Sequence, residues 1–182
     1  METEKLIQDL IERTKVNINQ AEKFKQLSKE ELNSRISEDS WSVLECIEHL
    51  NLYGDFYIPE INMRINNSKS STKANFKTGL LGNYFAKSML PKEKLNKMKT
   101  FKDKNPKGSK LEKNTIDRFL SQQEQILNLL NDSRKIDLNK VKTGITISKW
   151  IKLKLGDTFR VVIYHNDRHI LQANKILEAK DN

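Results

Sequence analysis

The fold of this chain is decided by residues 158–179, which read TFRVVIYHNDRHILQANKILEA. Apolar residues recur there at helical spacing, so one face of a helix is apolar. Before this helix, the side chains of residues 150–155 alternate as in an extended segment, and Gly156 is expected to break that segment. Asp157 or Thr158 is then expected to cap the helix. The apolar face predicted for this helix consists of Phe159, Val162, Ile163, Ile170, Ala173, Ile176 and Leu177.

Three other segments share this periodicity, at residues 3–27, about 40–66 and 111–131. Ser42 and Glu45 fit a capping box at the start of the second helix, and Pro59 is expected to kink that helix or step its axis. With three prolines and six glycines in 182 residues, a many-turned all-β fold is disfavoured. Four amphipathic helices predict an all-α fold, a four-helix bundle, as one domain over residues 1–182.

The lysine-rich connection between the second and third helices, residues 67–110, has the weakest pattern. Within it we expect a short helix over residues 79–90, packed over one end of the bundle, and a turn over residues 105–109. The net charge of +9 is concentrated in residues 87–113, which carry ten lysines against three acidic residues. That segment has no arginine and one aromatic, Phe101, so it lacks groups that read or stack on bases. A solvated connection is therefore favoured over a nucleic-acid site.

A single cysteine, Cys46, excludes a disulfide within the chain and a cysteine-rich zinc site. A lone thiol suits a reducing compartment. The start, Met-Glu-Thr-Glu-Lys5, lacks the basic and apolar regions of a signal peptide, and no segment approaches the roughly 18 apolar residues of a membrane span. The sequence therefore predicts a cytoplasmic protein without a membrane partner.

The chain has three histidines, His49, His165 and His169. His165 and His169 are four residues apart, so both imidazoles lie on one helix face and can reach one ion. His49 lies in the middle of the second helix, and such a residue can face a pair on another helix of a bundle. Three neutral imidazoles suit zinc, nickel or a similar divalent ion, and three protein ligands without a fourth are typical of an open, reactive site. Buried histidines satisfied by hydrogen bonds are the alternative.

Three neighbours of the histidines are further candidates. Cys46, three residues before His49, is either an extra ligand or nucleophile or, as we favour, a small buried apolar residue. Glu45 either approaches the ion or its water or caps the helix, and Gln172 is placed to hydrogen-bond His169. The glycine-rich and serine motifs of nucleotide-binding, NAD-binding and serine-hydrolase proteins do not occur in the sequence.

Two blocks of sequence resemble signatures of the DinB/YfiT-like superfamily. The first, Trp41-Ser-Val-Leu-Glu-Cys-Ile-Glu-His49-Leu50, resembles a second-helix signature in which Trp-Ser leads to a histidine about eight residues on. The second, Tyr164-His-Asn-Asp-Arg-His-Ile-Leu-Gln-Ala173, resembles the last-helix signature His-x-x-Arg-His-x-x-Gln, and the preceding Leu155-Gly-Asp-Thr-Phe159 also fits. Residues 67–110 carry none of this resemblance.

The resemblance implies a four-helix bundle with crossover topology, a zinc or nickel ion held by His49, His165 and His169, and a homodimer. Similar proteins include metal-dependent hydrolases and S-transferases that use a low-molecular-weight thiol such as bacillithiol or mycothiol. Either an activated water attacks an ester or amide, or, as we slightly favour, a bound thiolate attacks a small electrophilic substrate. Residues 87–113 are expected at the pocket mouth, where they attract an anionic thiol or substrate. A non-catalytic metal- or nucleic-acid-binding bundle is the alternative.

Overall fold

The computed structural model describes residues 1–91 and 100–179, with Lys149 described by its backbone alone. Its helices are α1 (Thr3–Lys25), α2 (Lys29–Leu32), α3 (Val43–Asn66), α4 (Leu80–Met89), α5 (Asn114–Ser133) and α6 (Leu155–Glu178), with one 3₁₀ turn at Lys102–Lys104. Strands β1 (Lys142–Ile145) and β2 (Ser148–Lys154) form an antiparallel hairpin before α6. The prediction of an all-α fold is confirmed, and the hairpin adds a small β element to it.

The four long helices pack against one another. Helices α1 and α3 each contact both α5 and α6, and the short helix α4 lies against α6. Because each long helix carries one continuous apolar stripe, this packing buries all four stripes together. The crossover connectivity stays a prediction. Within the described residues, no helix has the length and apolar character needed to cross a membrane.

The core consists of two apolar clusters that the same four helices build at different levels. The Phe159 cluster includes Leu10, Ile61 and Ile126, and the Phe119 cluster includes Phe24, Leu44 and Ile170. Between these levels every long helix contributes buried polar side chains, so a polar layer interrupts the core. This layer contains Thr14 and Asn17 from α1, His49 and Asn51 from α3, Gln122 and Gln123 from α5, and His165, Asn166 and His169 from α6.

The predicted start of the last helix is wrong. Helix α6 begins at Leu155 with Lys154 as its N-cap, so Gly156 lies inside the first turn and neither Asp157 nor Thr158 caps it. A Cβ at position 156 would lie 2.6 Å from the ring of Phe76. The glycine is therefore explained by close packing against Phe76 and not by helix breaking.

Other boundaries agree with the sequence more closely. The capping box of Ser42 and Glu45 is confirmed, α3 continues through Pro59, and α4 covers the expected short helix. The connection at residues 28–39 contains the unpredicted helix α2, which begins with its own capping box of Ser28 and Glu31. Four of the ten lysines in segment 87–113 are outside the described residues, namely Lys92, Lys94, Lys97 and Lys99.

Candidate metal centre

The three histidines come together where α3 faces α6. One ring nitrogen from each of His49, His165 and His169 lies within 4.8 Å of the others. The Nε2 atoms of His49 and His165 are 3.1 Å apart. All three side chains are buried, because α3 and α6 press this part of the polar layer between them. The structure thus places the three predicted ligands in one group, and metal binding by that group is a proposal.

The outer nitrogens of two imidazoles are held by hydrogen bonds. His49 Nδ1 lies 2.7 Å from the carbonyl oxygen of Lys104, and His169 Nδ1 lies 2.9 Å from Gln172 Oε1. Because both oxygens only accept, each Nδ1 carries the proton and donates, which leaves each Nε2 with a lone pair. Such a bond on the outer nitrogen is the usual support of a metal-binding histidine.

The donor set fits a small divalent ion. Two nitrogens at about 2.1 Å from one ion, at a tetrahedral angle, lie about 3.4 Å apart. The 3.1 Å between His49 Nε2 and His165 Nε2 is close to that separation. Lone pairs that face each other at this distance repel unless a proton or a cation lies between them. A cation shared by the three rings would satisfy them.

Burial keeps these imidazoles neutral. Desolvation lowers the pKa of His49 to about 4, and it lowers the pKa values of His165 and His169 well below their ordinary value. The positive charge of Arg168 and the neighbouring imidazoles lower the last two further. At neutral pH all three rings therefore keep the unprotonated nitrogen that a metal requires.

Two aromatic residues enclose the histidines. The ring centroid of Trp41 lies 4.6 Å from that of His49 and 5.6 Å from that of His169. The ring of Tyr53 lies 4.9 Å from His49 and 4.8 Å from His165. The indole nitrogen of Trp41 donates to Asn105 Oδ1 at 3.2 Å, which fixes its ring over the group. These contacts hold the imidazoles in place and keep water from their sides.

Glu45 and Cys46 do not join the group of ligand atoms among the described residues. The carboxylate of Glu45 accepts hydrogen bonds from Arg35, from the Ser42 amide and from the Gly108 amide. Cys46 is fully buried in the Phe119 cluster, and desolvation raises the pKa of its thiol, so the thiol stays protonated. The capping and packing interpretations of these two residues therefore match their surroundings.

Sequence reasoning missed the carbonyl of Lys104, which supports His49. A backbone oxygen leaves no side-chain signal, and its position depends on the turn at residues 105–109. In that turn Gly108 has a φ of +81°, and its amide donates to Glu45 Oε1 at 2.6 Å. The left-handed conformation favours glycine, and the bond ties the turn to the start of α3. Glu45 thus helps to hold the segment that supports His49.

Two pockets meet at the histidines. The first, of about 630 Å³, is bordered by His49 and His169 and by the cationic side chains of Lys107, Arg168 and Lys175. The second, of about 210 Å³, extends from His165 into the Phe159 cluster. We call them the basic pocket and the apolar pocket. Both are bordered by Tyr53, Met89 and His165.

The sequence model of the DinB superfamily matches residues 11–173. Because this match covers most of the chain, the protein belongs to the DinB superfamily. The resemblance of the blocks at Trp41 and Tyr164 is thereby confirmed. No curated protein and no solved structure matched the chain.

Proposed function

We propose that this protein holds a divalent ion, zinc or nickel, through His49, His165 and His169 and transfers a low-molecular-weight thiol to an electrophilic substrate. The observation that carries this proposal is the convergence of three neutral imidazoles beside a pocket that has room for a further ligand. Imidazole nitrogens suit both ions. When bound, the ion would supply Lewis-acid chemistry by lowering the pKa of a coordinated thiol or water.

The chain's own residues organise the site. The Lys104 carbonyl and Gln172 favour the tautomer of two imidazoles in which Nε2 is unprotonated and available to a metal. Trp41 and Tyr53 exclude water from the sides of the rings. The cationic residues of the basic pocket favour a thiol that carries carboxylates, because opposite charges attract across a partly desolvated cleft.

The reaction we propose joins two substrates. A sulfur–carbon bond forms, and a carbon–halogen or carbon–oxygen bond breaks with its electron pair leaving on the halide or oxygen. The thiol proton passes to solvent before the attack. Two pockets of unlike chemistry at one centre support such a two-substrate reaction better than hydrolysis of a single ester or amide.

The test uses cobalt-loaded protein, in which sulfur coordination gives a strong near-ultraviolet charge-transfer band. We expect bacillithiol to produce this band and its S-methyl derivative to leave the spectrum unchanged. His169→Ala should abolish the band, whereas Gln125→Ala, an exposed change on α5, should retain it. If bacillithiol, mycothiol and glutathione at high concentration all leave the cobalt spectrum unchanged, the proposal of thiol transfer is wrong. Ester hydrolysis by the same protein then becomes the candidate reaction.

A further inference from the structure

We infer that the apolar pocket binds an uncharged group of the electrophilic substrate, about the size of one aromatic ring. This inference rests on the proposed function and names the substrate class of that site. The pocket lies beside His165, so a ring held in it leaves its substituent next to the imidazole group.

The walls of the apolar pocket select against charge. They come from α3, α4, α5, α6, the hairpin and Phe101, with buried Leu50, Ile126, Leu153 and Val162 among the lining residues. Within the described residues, the lining includes no aspartate, glutamate, lysine or arginine. A charged group would lose its hydration there without gaining a counter-charge, which costs several kilocalories per mole. The ligand group is therefore apolar and uncharged.

Polar side chains in the wall are engaged with protein partners. Asn166 Nδ2 donates to Gln123 Oε1 at 2.9 Å, and Gln122 Nε2 donates to the carbonyl of Asn51 and to Asp55. These bonds hold the amides of the polar layer at the pocket wall. The remaining contact surface is largely that of aliphatic and aromatic side chains.

The volume of the apolar pocket and its access to solvent further limit the ligands that it can bind. A cavity of about 150 Å³ lined by aliphatic and aromatic side chains binds benzene. The apolar pocket, at about 210 Å³, has room for such a ring with a small substituent. Phe101 and Ile147 line the pocket and are 46% and 45% exposed, so this side of the pocket faces solvent. The apolar substrate can therefore enter without crossing the basic pocket.

The test follows 4-fluorobenzyl alcohol by ¹⁹F NMR with zinc-loaded protein. We expect a shifted bound resonance, and cobalt in place of zinc should broaden it because the ring lies near the metal. The matched probe 3-fluoro-4-(hydroxymethyl)benzoate carries one charge at the end of the ring that enters the pocket, and it should bind at least about tenfold more weakly. Equal binding of the two probes, or no binding of the alcohol to folded protein, would overturn the inference.

Two variants with the same change, valine to phenylalanine, test whether the alcohol binds in the apolar pocket. Val162→Phe fills the apolar pocket from α6 and should weaken binding of the alcohol by about tenfold or more. Val16→Phe adds the same ring to an exposed site on α1 and should leave binding unchanged. If Val162→Phe fails to fold, Phe85→Leu replaces it. Phe85→Leu widens the pocket wall and should strengthen binding of 1-fluoronaphthalene, and no gain contradicts the location.

The same measurements separate this inference from the proposed function. Binding of the alcohol to metal-free His169→Ala, together with a wild type that binds no metal, would leave the apolar pocket standing and refute the proposed function. A wild type that binds metal and thiol but not the alcohol would refute this inference alone.

Discussion

Helix α6 carries two buried polar clusters about two turns apart, and they are built on opposite principles. Around Asp157 unlike groups pair, because Arg160 donates to Asp157 at 3.1 Å and the Gly79 amide donates to the same carboxylate at 2.8 Å. Around His165 the groups are alike, because three imidazole rings converge there and His49 Nε2 lies 3.1 Å from His165 Nε2. The first cluster joins the start of α4 to α6 through these bonds. The second brings three neutral nitrogen donors together, which is the property expected of a metal-ligand site.

The largest expected difference between the two clusters is the loss of folding stability when the Asp157 cluster is broken. Asp157→Ala leaves Arg160 buried, at 6% exposure, without its carboxylate. We expect the free energy of unfolding to fall by about 3–5 kcal/mol, as for other broken buried pairs, with the metal content of the folded fraction unchanged. Urea denaturation and elemental analysis measure the two quantities. A variant that lost its metal while staying folded would show that the clusters are not independent.

A smaller effect is expected on metal affinity. Gln172→Ala removes the acceptor of the His169 Nδ1–H, and loss of such a support lowers metal affinity by about 10- to 100-fold. Competition with a chromogenic chelator measures the affinity. Gln125→Ala is the matched control, because that side chain is exposed on α5 and donates to the nearby Ser121 carbonyl. Equal metal affinities in the two variants would show that Gln172 does not support the metal site.

The pH dependence of stability gives a third contrast, because Glu45 belongs to a closed network. Burial by itself raises the pKa of Glu45, but hydrogen bonds from Arg35, Ser42 and Gly108 outweigh it and hold the pKa below its ordinary value of 4.5. The folded state therefore binds its proton less readily than the unfolded state. This stabilisation is present above pH 4.5 and is lost as the pH falls through the lower, folded-state pKa.

Glu45→Gln should remove that component, so the curve of unfolding free energy against pH becomes flatter below pH 4.5. Chemical denaturation of metal-free protein across the acid range measures the slope. Glu124→Gln, a change at an exposed site on α5, is the control. An unchanged slope in Glu45→Gln would mean that the network does not hold its carboxylate ionised.

The smallest effect concerns the basic pocket. Lys107 borders this pocket and pairs with Asp39 at its rim, whereas Lys110 lies in a separate surface groove. Lys107→Gln should weaken binding of an anionic thiol by about two- to fivefold and reduce its dependence on salt, since an exposed charge contributes little. Lys110→Gln should change neither quantity. Calorimetric titration of the thiol at two salt concentrations measures both quantities. Identical thiol affinities and salt dependences in the two variants would contradict the role of Lys107.

The sequence predicts what periodicity and local capping control. Apolar spacing predicts the four long helices, and Ser42 with Glu45 predicts the start of α3, because the interactions involved are a few residues apart. It also shows that each histidine lies near an apolar stripe. The packing of α3 on α6 then brings the histidines together.

Contacts between distant residues explain the errors. Gly156 has the sequence signature of a helix breaker, yet it lies in a helix. A glycine stands there because Phe76, eighty positions away, occupies the space that a side chain would need. The support of His49 by the Lys104 carbonyl likewise depends on a turn in another part of the chain. The polar layer is visible only once the four helices are aligned, since each helix contributes only two or three of its residues.

The most direct test of the central claim is elemental analysis of untagged protein, because a histidine tag would bind metal itself. Wild type, His49→Ala and His169→Ala are purified from metal-replete cells, and circular dichroism confirms that each is folded. The account predicts about one zinc or nickel ion per wild-type chain and loss of that ion in both variants. A wild type without metal, or variants that hold as much as the wild type, would contradict it.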